Sequence, residues 1–447
     1  MDDLLVRIRQ LIEKKAYKEF RELCTELNEA DMASLLEDLD EDELIKFFRI
    51  LPKDMAADVF AYLPIDIQQN MIVKFSLGEA ARIIEDLDVD DAADLMDEMP
   101  ANVVTKLLAN TSAETRSTIN QLLKYPEDSA GSLMTTEYEA LKQNLTVEQA
   151  VQKIRRDGID KETVNNCYVL DPQRHLIGTV TLRQIIFSQP EQLIGDIMED
   201  RVISVTTLTD QEEVAREIQK YDFNAMPVVD SEGRMVGIIT IDDIIDILQQ
   251  EATEDIEKMA AISPSDMPYL KTGVFETWKK RIPWLLLLMI SATFTGMIIT
   301  HYEEALGAYL VLTSFIPMLM DTGGNAGSQA SVSIIRALSL DELEFKDIGK
   351  TIWKEVRVSV LIGVTLAVAN FGKLLLIDRV SILIAAVVCL TLVVTVFVAK
   401  FVGCTLPMLA KKMGFDPAVM ASPFITTIVD ALSLMIYFTF ATAFLGI

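Results

Sequence analysis

Residues 422–438 read SPFITTIVDALSLMIYF, and the carboxylate in the middle of that run decides how the rest of the chain is interpreted. The stretch is apolar on both sides for long enough to cross a bilayer, yet Asp430 sits near its centre. A charged side chain at the midplane of a membrane helix costs about 2.5–3.5 kcal/mol on insertion scales, so it persists where a partner or water meets it. Thr426 and Thr427 precede it by four and three residues and share nearly the same helical face. Pro423 withholds a backbone N–H near the helix start, which leaves nearby carbonyls free to face a cavity. Two readings fit this acidic stripe in an apolar rod: a pore-lining cation site, or a buried Asp hydrogen-bonded to a neighbouring helix.

Working outward, the apolar runs predict five spans, at roughly 282–300, 305–335, 356–377, 381–405 and 418–446. Lys279, Lys280 and Arg281 precede the first; Arg336, Lys346, Lys350, Lys354 and Arg357 follow the second; Lys411 and Lys412 follow the fourth. The opposite loops hold only Lys373 and Arg379. That bias predicts a cytoplasmic N-terminus and soluble half, with the C-terminus outside the cell membrane. Five spans do not divide into inverted halves, so a pore would form more naturally between two chains.

The second span carries PMLMDTGGNAGSQ at 317–329. Its proline and three glycines permit bending and close helix approach. Asp321, Asn325, Ser328 and Gln329 recur at i, i+4, i+7 and i+8, on one face. Glycines alone would need only a packing seam, but four polar side chains on one stripe point to a water-filled pathway. Pro407 is expected to kink or end the fourth span.

Composition separates this half from the other. Of 67 Asp and Glu and 40 Lys and Arg, 11 and 10 respectively fall from Ile282 onward. Nearly all of the net charge of −27 therefore belongs to the first 281 residues. Such a field repels nucleic acid and anionic lipid and attracts cations, although solubility alone also accounts for it. The opening Met1-Asp2-Asp3 has neither a basic nor an apolar signal region, so no signal peptide is expected. Cys24, Cys167, Cys389 and Cys404 are scattered, without a CxxC, and read as small buried residues in a reducing compartment.

After an amphipathic helical stretch at 1–28, a repeat of period 12 begins, with units at 29–40, 41–52 and onward to 113–124. EDELIKFFRILP and KDMAADVFAYLP show it best. Position eight is Leu36, Phe48, Phe60, Ile72, Ile84, Met96 and Leu108; position eleven is Leu39, Leu51, Leu63, Phe75, Leu87 and Met99. The three-residue apolar spacing suits a helical face, and the closing Pro, Asp or Ser stops one helix and starts the next. No unit can bury its face alone, so an all-α superhelical solenoid over 1–125 is predicted.

Beyond a linker at 125–131, a second repeat occupies 132–190 and 196–253. YVLDPQRHLIGTVTLRQII in the first copy aligns with PVVDSEGRMVGIITIDDII in the second. Each copy reads strand, helix, strand, turn, strand, helix. This α/β tandem at 132–253 resembles paired CBS domains, a module that senses adenine nucleotides or other small ligands. The family's G-x-x-T-x-x-D signature stands in copy two as Gly237, Thr240 and Asp243. In copy one the positions are Gly178, Thr181 and Gln184, with a neutral amide replacing the acid. A purely structural role, as a rigid dimerising spacer, is the alternative. Copy two runs into a carboxylate-rich stretch, and 254–281 reads as connecting helix and linker leading to a membrane domain at 282–447.

Taken together, acidic helical domain, tandem CBS domains, acidic connecting helix and five spans resemble the MgtE-type magnesium channels or transporters. The most specific motifs are DTGGNAGSQ at 321–329 and SP-x-x-TT-x-x-D at 422–430. The resemblance implies a homodimer in the cell membrane that conducts Mg²⁺ inward between two-fold-related second and fifth spans, and that cytosolic Mg²⁺ closes. It implies Asp430 as the selectivity carboxylate with the Thr426 carbonyl beside it, and a pore lined also by Thr427, Ser422, Asn325, Gly324 and Asp321. Mg²⁺ holds its water tightly, so such a ring would meet a hydrated ion through outer-sphere bonds. The resemblance also implies regulatory metal positions at Asp58, Asp90 and Asp94, at Asp210, Glu212, Asp243 and Asp246, and at Glu251, Glu254, Asp255 and Asp416. ATP at Thr240, Asp243 and Thr181 is the implied nucleotide.

Two further readings stay open: a broader path for Mn²⁺, Co²⁺ or Ca²⁺, and a membrane-anchored CBS sensor whose spans only anchor it. An enzyme is not expected, since His175 and His301 are isolated and no P-loop or nucleophile constellation is present.

Overall fold

Each twelve-residue unit of the amino-terminal repeat holds one helix: Glu29–Glu37, Glu41–Phe48, Ala56–Ala61, Ile65–Lys74, Leu77–Asp86, Val89–Asp97, Ala101–Leu108 and Ala113–Leu122. In this computed structural model, residues 2–446 are described apart from 15, 25, 54, 266–268, 304–306, 308 and 421, with the backbone alone at 2, 3, 12, 13, 160 and 422. The period comes from the caps. Asn28, Asp40, Pro64, Ser76, Asp88, Pro100 and Ser112 are N-caps, each the residue just before a unit begins. Side chains of Asn28, Asp40, Ser76 and Ser112 accept from backbone N–H groups of the turn they open. The third helix alone starts late, with Met55 as its cap. Every apolar residue at positions eight and eleven is buried, from Leu36 and Leu39 to Met99 and Leu108. Helices pack on their next-but-one neighbours: Glu29–Glu37 on Ala56–Ala61, that on Leu77–Asp86, and that on Ala101–Leu108.

The CBS pair forms two three-stranded sheets. In copy one, β1 (Tyr138–Lys142) runs parallel to β2 (Thr163–Leu170), which pairs antiparallel with β3 (Leu176–Thr181). Copy two repeats this with β4 (Val205–Thr206), β5 (Ala225–Val229) and β6 (Met235–Thr240). The lead-in segments are exchanged: Thr135 bridges to Ile238 of β6, and Glu199 bridges to Thr179 of β3. The expected linker is packed rather than free, because a Cβ on Gly131 would come within 2.5 Å of the Tyr125 ring. One apolar core joins Leu95 and Leu122 of the repeat to Met134, Val214 and Ile239 of the CBS pair. Repeat and pair thus make one unit, Met1–Leu248; the other is Gln249–Ile447.

In the second unit, five long helices among the described residues are Val274–His301, Ile316–Ser339, Ile348–Leu376, Ile382–Lys412 and Ser422–Leu445, called here the first to fifth helices. Four segments among the described residues are long and apolar enough to cross a membrane: Val274–His301, Phe345–Leu376, Ile382–Lys412 and Pro417–Leu445. The predicted second span is not among them. Its helix is 24 residues long, but glycines, Asp321, Asn325 and Gln329 dilute its apolar content. Pro407 does not end the fourth helix, which continues to Lys412. That helix is the hub, packed on the second, third and fifth. Its apolar window is 56% buried against 6% for the first helix.

Candidate functional site

The second helix has two faces. Gly323, Gly324 and Gly327 are buried, while Asp321, Asn325 and Gln329 are exposed. A Cβ on Gly323 would lie 2.9 Å from Ser433 Oγ, one on Gly324 2.9 Å from Thr426 Cγ2, and one on Gly327 2.8 Å from Ile425 Cγ2. On the fourth helix, a Cβ at Gly403 would run into the Gly327 carbonyl oxygen. The glycines therefore seat the second helix on the fourth and fifth. The acid and amides point the other way, uncovered by this chain, and Ser328 is half-buried between the faces.

Asp430 is half-buried on the fifth helix, near enough to Asp321 for the two charges to act on one another. The hydroxyls of Thr426 and Thr427 both donate to the Pro423 carbonyl, at 2.9 and 3.0 Å. These bonds take up the hydroxyl protons within the helix turn and leave the hydroxyl oxygens with lone pairs. The Pro423 carbonyl is thus occupied rather than free. The Ser422 side chain lies outside the described residues.

One ion pair between helices of the second unit escaped the sequence reading. Lys400 Nζ of the fourth helix lies 3.3 Å from Glu355 Oε2 of the third, with side chains 6% and 14% exposed. A lone basic residue in VFVAKFVGC was its signal, but the partner lay 45 residues upstream.

In the Met1–Leu248 unit, Asp90, Asp91 and Asp94 stand close enough to Asp243 for mutual repulsion, as does Glu162. Burial, then Asp91 and Asp243, pushes Asp90 up to about 9. Asp94 rises to about 7, and Glu162 to about 7, with loss of hydration leading and neighbouring carboxylates adding. Asp91 and Asp94 keep solvent-exposed surface, so repulsion as well as crowding acts on them. Asp90 Oδ1 is buried with no hydrogen-bond partner. Oxygen-only donors under mutual repulsion fit a hard divalent cation. Among the described residues, no three acidic, His or Cys side chains lie close enough to hold one as they stand. Asp58 and Asp246 are exposed. Asp210 caps the Gln211–Tyr221 helix by accepting from the Glu212 N–H at 2.9 Å, and Glu212 lies 3.9 Å from Arg216.

In the second unit, Glu254, Asp255 and Asp416 come together, but Lys258 sits among them. Its ammonium bonds Glu254 on its own helix and Asp416, 2.7 Å away, before the fifth helix. Burial draws the Lys258 proton affinity down, yet the bonds to Asp416 and Glu254 outweigh it and hold it above an ordinary lysine. Asp255 is raised by burial first and then by Asp416, with Glu251 contributing.

At the nucleotide signature, Thr240 donates to Asp243 Oδ2 at 2.6 Å. Thr181 instead closes a capping box with Gln184, so its hydroxyl is engaged by the amide. The signature glycines have a packing cause: a Cβ on Gly237 would lie 2.6 Å from the Thr135 carbonyl oxygen, and one on Gly178 2.6 Å from Met198 Sδ.

Comparison with known proteins follows the same divisions. Residues 316–440 match a divalent cation transporter family model, MgtE; residues 27–128 match the MgtE intracellular N domain; residues 130–191 and 194–250 match CBS domains. A magnesium transporter MgtE of Thermus thermophilus is 40% identical over 73% of this chain and 72% of its own. Its namesake in Bacillus subtilis is 39% identical over 76% and 74%. The crystal structure of the soluble part of a magnesium transporter superposes with a TM-score of 0.54 at 32% identity, over 56% of this chain and 99% of that one. A cytosolic domain of the Mg²⁺ channel MgtE in complex with ATP gives 0.52 at 35% identity, over 54% and 99%.

Proposed function

The chain belongs to the MgtE family of magnesium transporters, and on that premise we propose that it conducts Mg²⁺ into the cytoplasm through a pore between two copies of itself. The observation that carries this reading is the two-faced second helix: glycines seated on the fifth helix, Asp321, Asn325 and Gln329 left uncovered, and Asp321 near Asp430. A membrane anchor needs no such stripe. All five helices then cross the bilayer, with the solenoid, CBS pair and basic loops in the cytoplasm and the C-terminus outside. Two Asp430 carboxylates facing each other across the axis meet a hydrated ion, whose tightly held water favours outer-sphere contacts.

Closure follows from the acids. At low Mg²⁺, Asp90, Asp94 and Asp243 repel, as do Glu251, Glu254, Asp255 and Asp416; bound Mg²⁺ relieves that repulsion and favours the closed form. Asp58, Asp210, Glu212 and Asp246 belong to the same set by family likeness. The Thr240–Asp243 pair supports ATP as a modulator, since hydroxyl and carboxylate suit phosphate and ribose.

Divalent flux into proteoliposomes tests conduction. Asp430→Ala abolishes Mg²⁺ flux while the protein remains monodisperse; undiminished flux removes the reading. Neutralising Asp243, Asp246 and Glu251 together leaves the channel open at high cytosolic Mg²⁺.

A further inference from the structure

The Glu355–Lys400 pair has no part in the ion path described above, yet it sits where it can set that path's geometry. Lys400 lies near the middle of the Ile382–Lys412 helix, and 5% of the residue is exposed. Two positions close to it in the chain, Ala399 and Gly403, meet the second helix. The Ala399 carbonyl would stand 3.2 Å from a Cβ on Gly327, and Gly403 abuts the Gly327 carbonyl oxygen itself. Gly327 in turn lies against Ile425 and Val429, the latter adjacent to Asp430 in the chain. Contacts therefore run without a break from Glu355 through the fourth helix to the second and on to the fifth. Inside lipid the hydrophobic effect adds little to helix association, so close packing and polar pairs set the register. A carboxylate and an ammonium at 3.3 Å have one preferred axial register, and leaving either alone in the membrane is penalised.

We propose that Glu355 and Lys400 are positioning residues of the pore, locking the fourth helix in the register at which Ala399 and Gly403 support Gly327 and thereby the placement of Asp430. This rests on the reading of the Asp430 seam as the ion path. Neither residue touches the ion. Their effect is on how the seam fits the hydrated cation, so the parameter to follow is selectivity rather than flux alone.

The test uses the full chain in proteoliposomes, with KM for Mg²⁺ and the Mg²⁺-to-Ca²⁺ flux ratio measured for Lys400→Met, Glu355→Gln, the exchanged pair Glu355→Lys with Lys400→Glu, and Glu355→Asp. Each single neutralisation is expected to shift the flux ratio or KM by about threefold or more, as a seam displaced by a fraction of an ångström would. The exchanged pair, which restores opposite charges at the same place, is expected to return to within about twofold of the parent. Neutralised variants that fold and keep the parental ratio and KM overturn the proposal. So does an exchanged pair that folds without restoring them. Where the neutral variants fail to fold, Glu355→Asp decides, because it keeps the charge and shortens the reach by one methylene; an unchanged ratio there overturns the proposal. Asp430→Asn is run alongside: if it leaves flux intact, the ion path itself is wrong and this proposal falls with it. If it abolishes flux while the pair variants behave as parent, the positioning role alone is lost.

Discussion

Lys258 Nζ lies 2.7 Å from Asp416 Oδ2 and also bonds Glu254, so an ammonium stands between two carboxylates assigned to divalent control. A tethered monovalent cation and a free divalent one compete for the same oxygens. Lys258→Gln removes the tethered competitor and leaves Glu254, Asp255 and Asp416 repelling, which strengthens divalent binding there. The Mg²⁺ concentration that half-closes the channel is expected to fall by about three- to tenfold, a coupling within the usual allosteric range. Patch recordings with Mg²⁺ varied on the CBS side measure it. A rise instead would mean that Lys258 serves only as a latch for the closed form.

The acids of the other unit give a pH dependence of defined sign. Asp90, Asp94 and Glu162 have folded-state affinities for protons raised to about 9, 7 and 7, above the ordinary carboxylate range. The folded unit therefore holds more protons than the unfolded chain between about pH 4 and 9, and stability falls as pH rises through that window. In a chelator, Met1–Leu248 of the full-length protein is expected to resist proteolysis better at about pH 5.5 than at about pH 8.5. Saturating Mg²⁺ should flatten the difference, because the cation then does what the protons did. Greater resistance at the higher pH would contradict the assigned cause.

How much of this was legible in the sequence depended on whether the signal was periodic. The twelve-residue repeat was readable because a buried residue and an N-cap recur in each unit, as at Phe48 and Asp40 or Ile84 and Ser76. The two CBS copies were readable for the same reason, through repetition of one pattern. The second membrane helix shows in the sequence as a polar stripe, and that stripe lowers its apolar content. Pairings across distant helices left no local trace. Nothing near Lys400 names Glu355, nothing near Lys258 names Asp416, and the exchange of Thr135 and Glu199 between copies hides behind two signature glycines.

Gly403 offers a test of the seam by volume alone. A Cβ there meets the Gly327 backbone rather than a movable side chain, so the two helices must part to admit it. Gly403→Ala is expected to destabilise the membrane domain by about 1–3 kcal/mol, the usual range for overpacking. Gly372→Ala on the third helix meets nothing within 4 Å and serves as the control. Thermal melts of the detergent-solubilised protein should separate the two variants, with Gly372→Ala close to the parent; equal melting temperatures would contradict the close approach.

The two CBS copies should differ in what they bind, and the cause lies in the side chain that each signature threonine meets. Thr240 reaches a carboxylate that carries charge and further lone pairs for a ribose hydroxyl. Thr181 reaches the Gln184 side chain, whose oxygen already accepts from both the Thr181 N–H and its hydroxyl. Copy one is therefore closed upon its own helix cap, while copy two keeps an acceptor to spare. Calorimetry with ATP is expected to give one site per chain. Asp243→Asn should weaken it by about tenfold or more, as loss of a charged hydrogen-bond acceptor does. Thr181→Val should leave affinity unchanged and lower only the stability of its short helix, by about 1 kcal/mol for a lost N-cap. Two equivalent sites per chain, or equal losses from both variants, would show that Gln184 does not close the first copy.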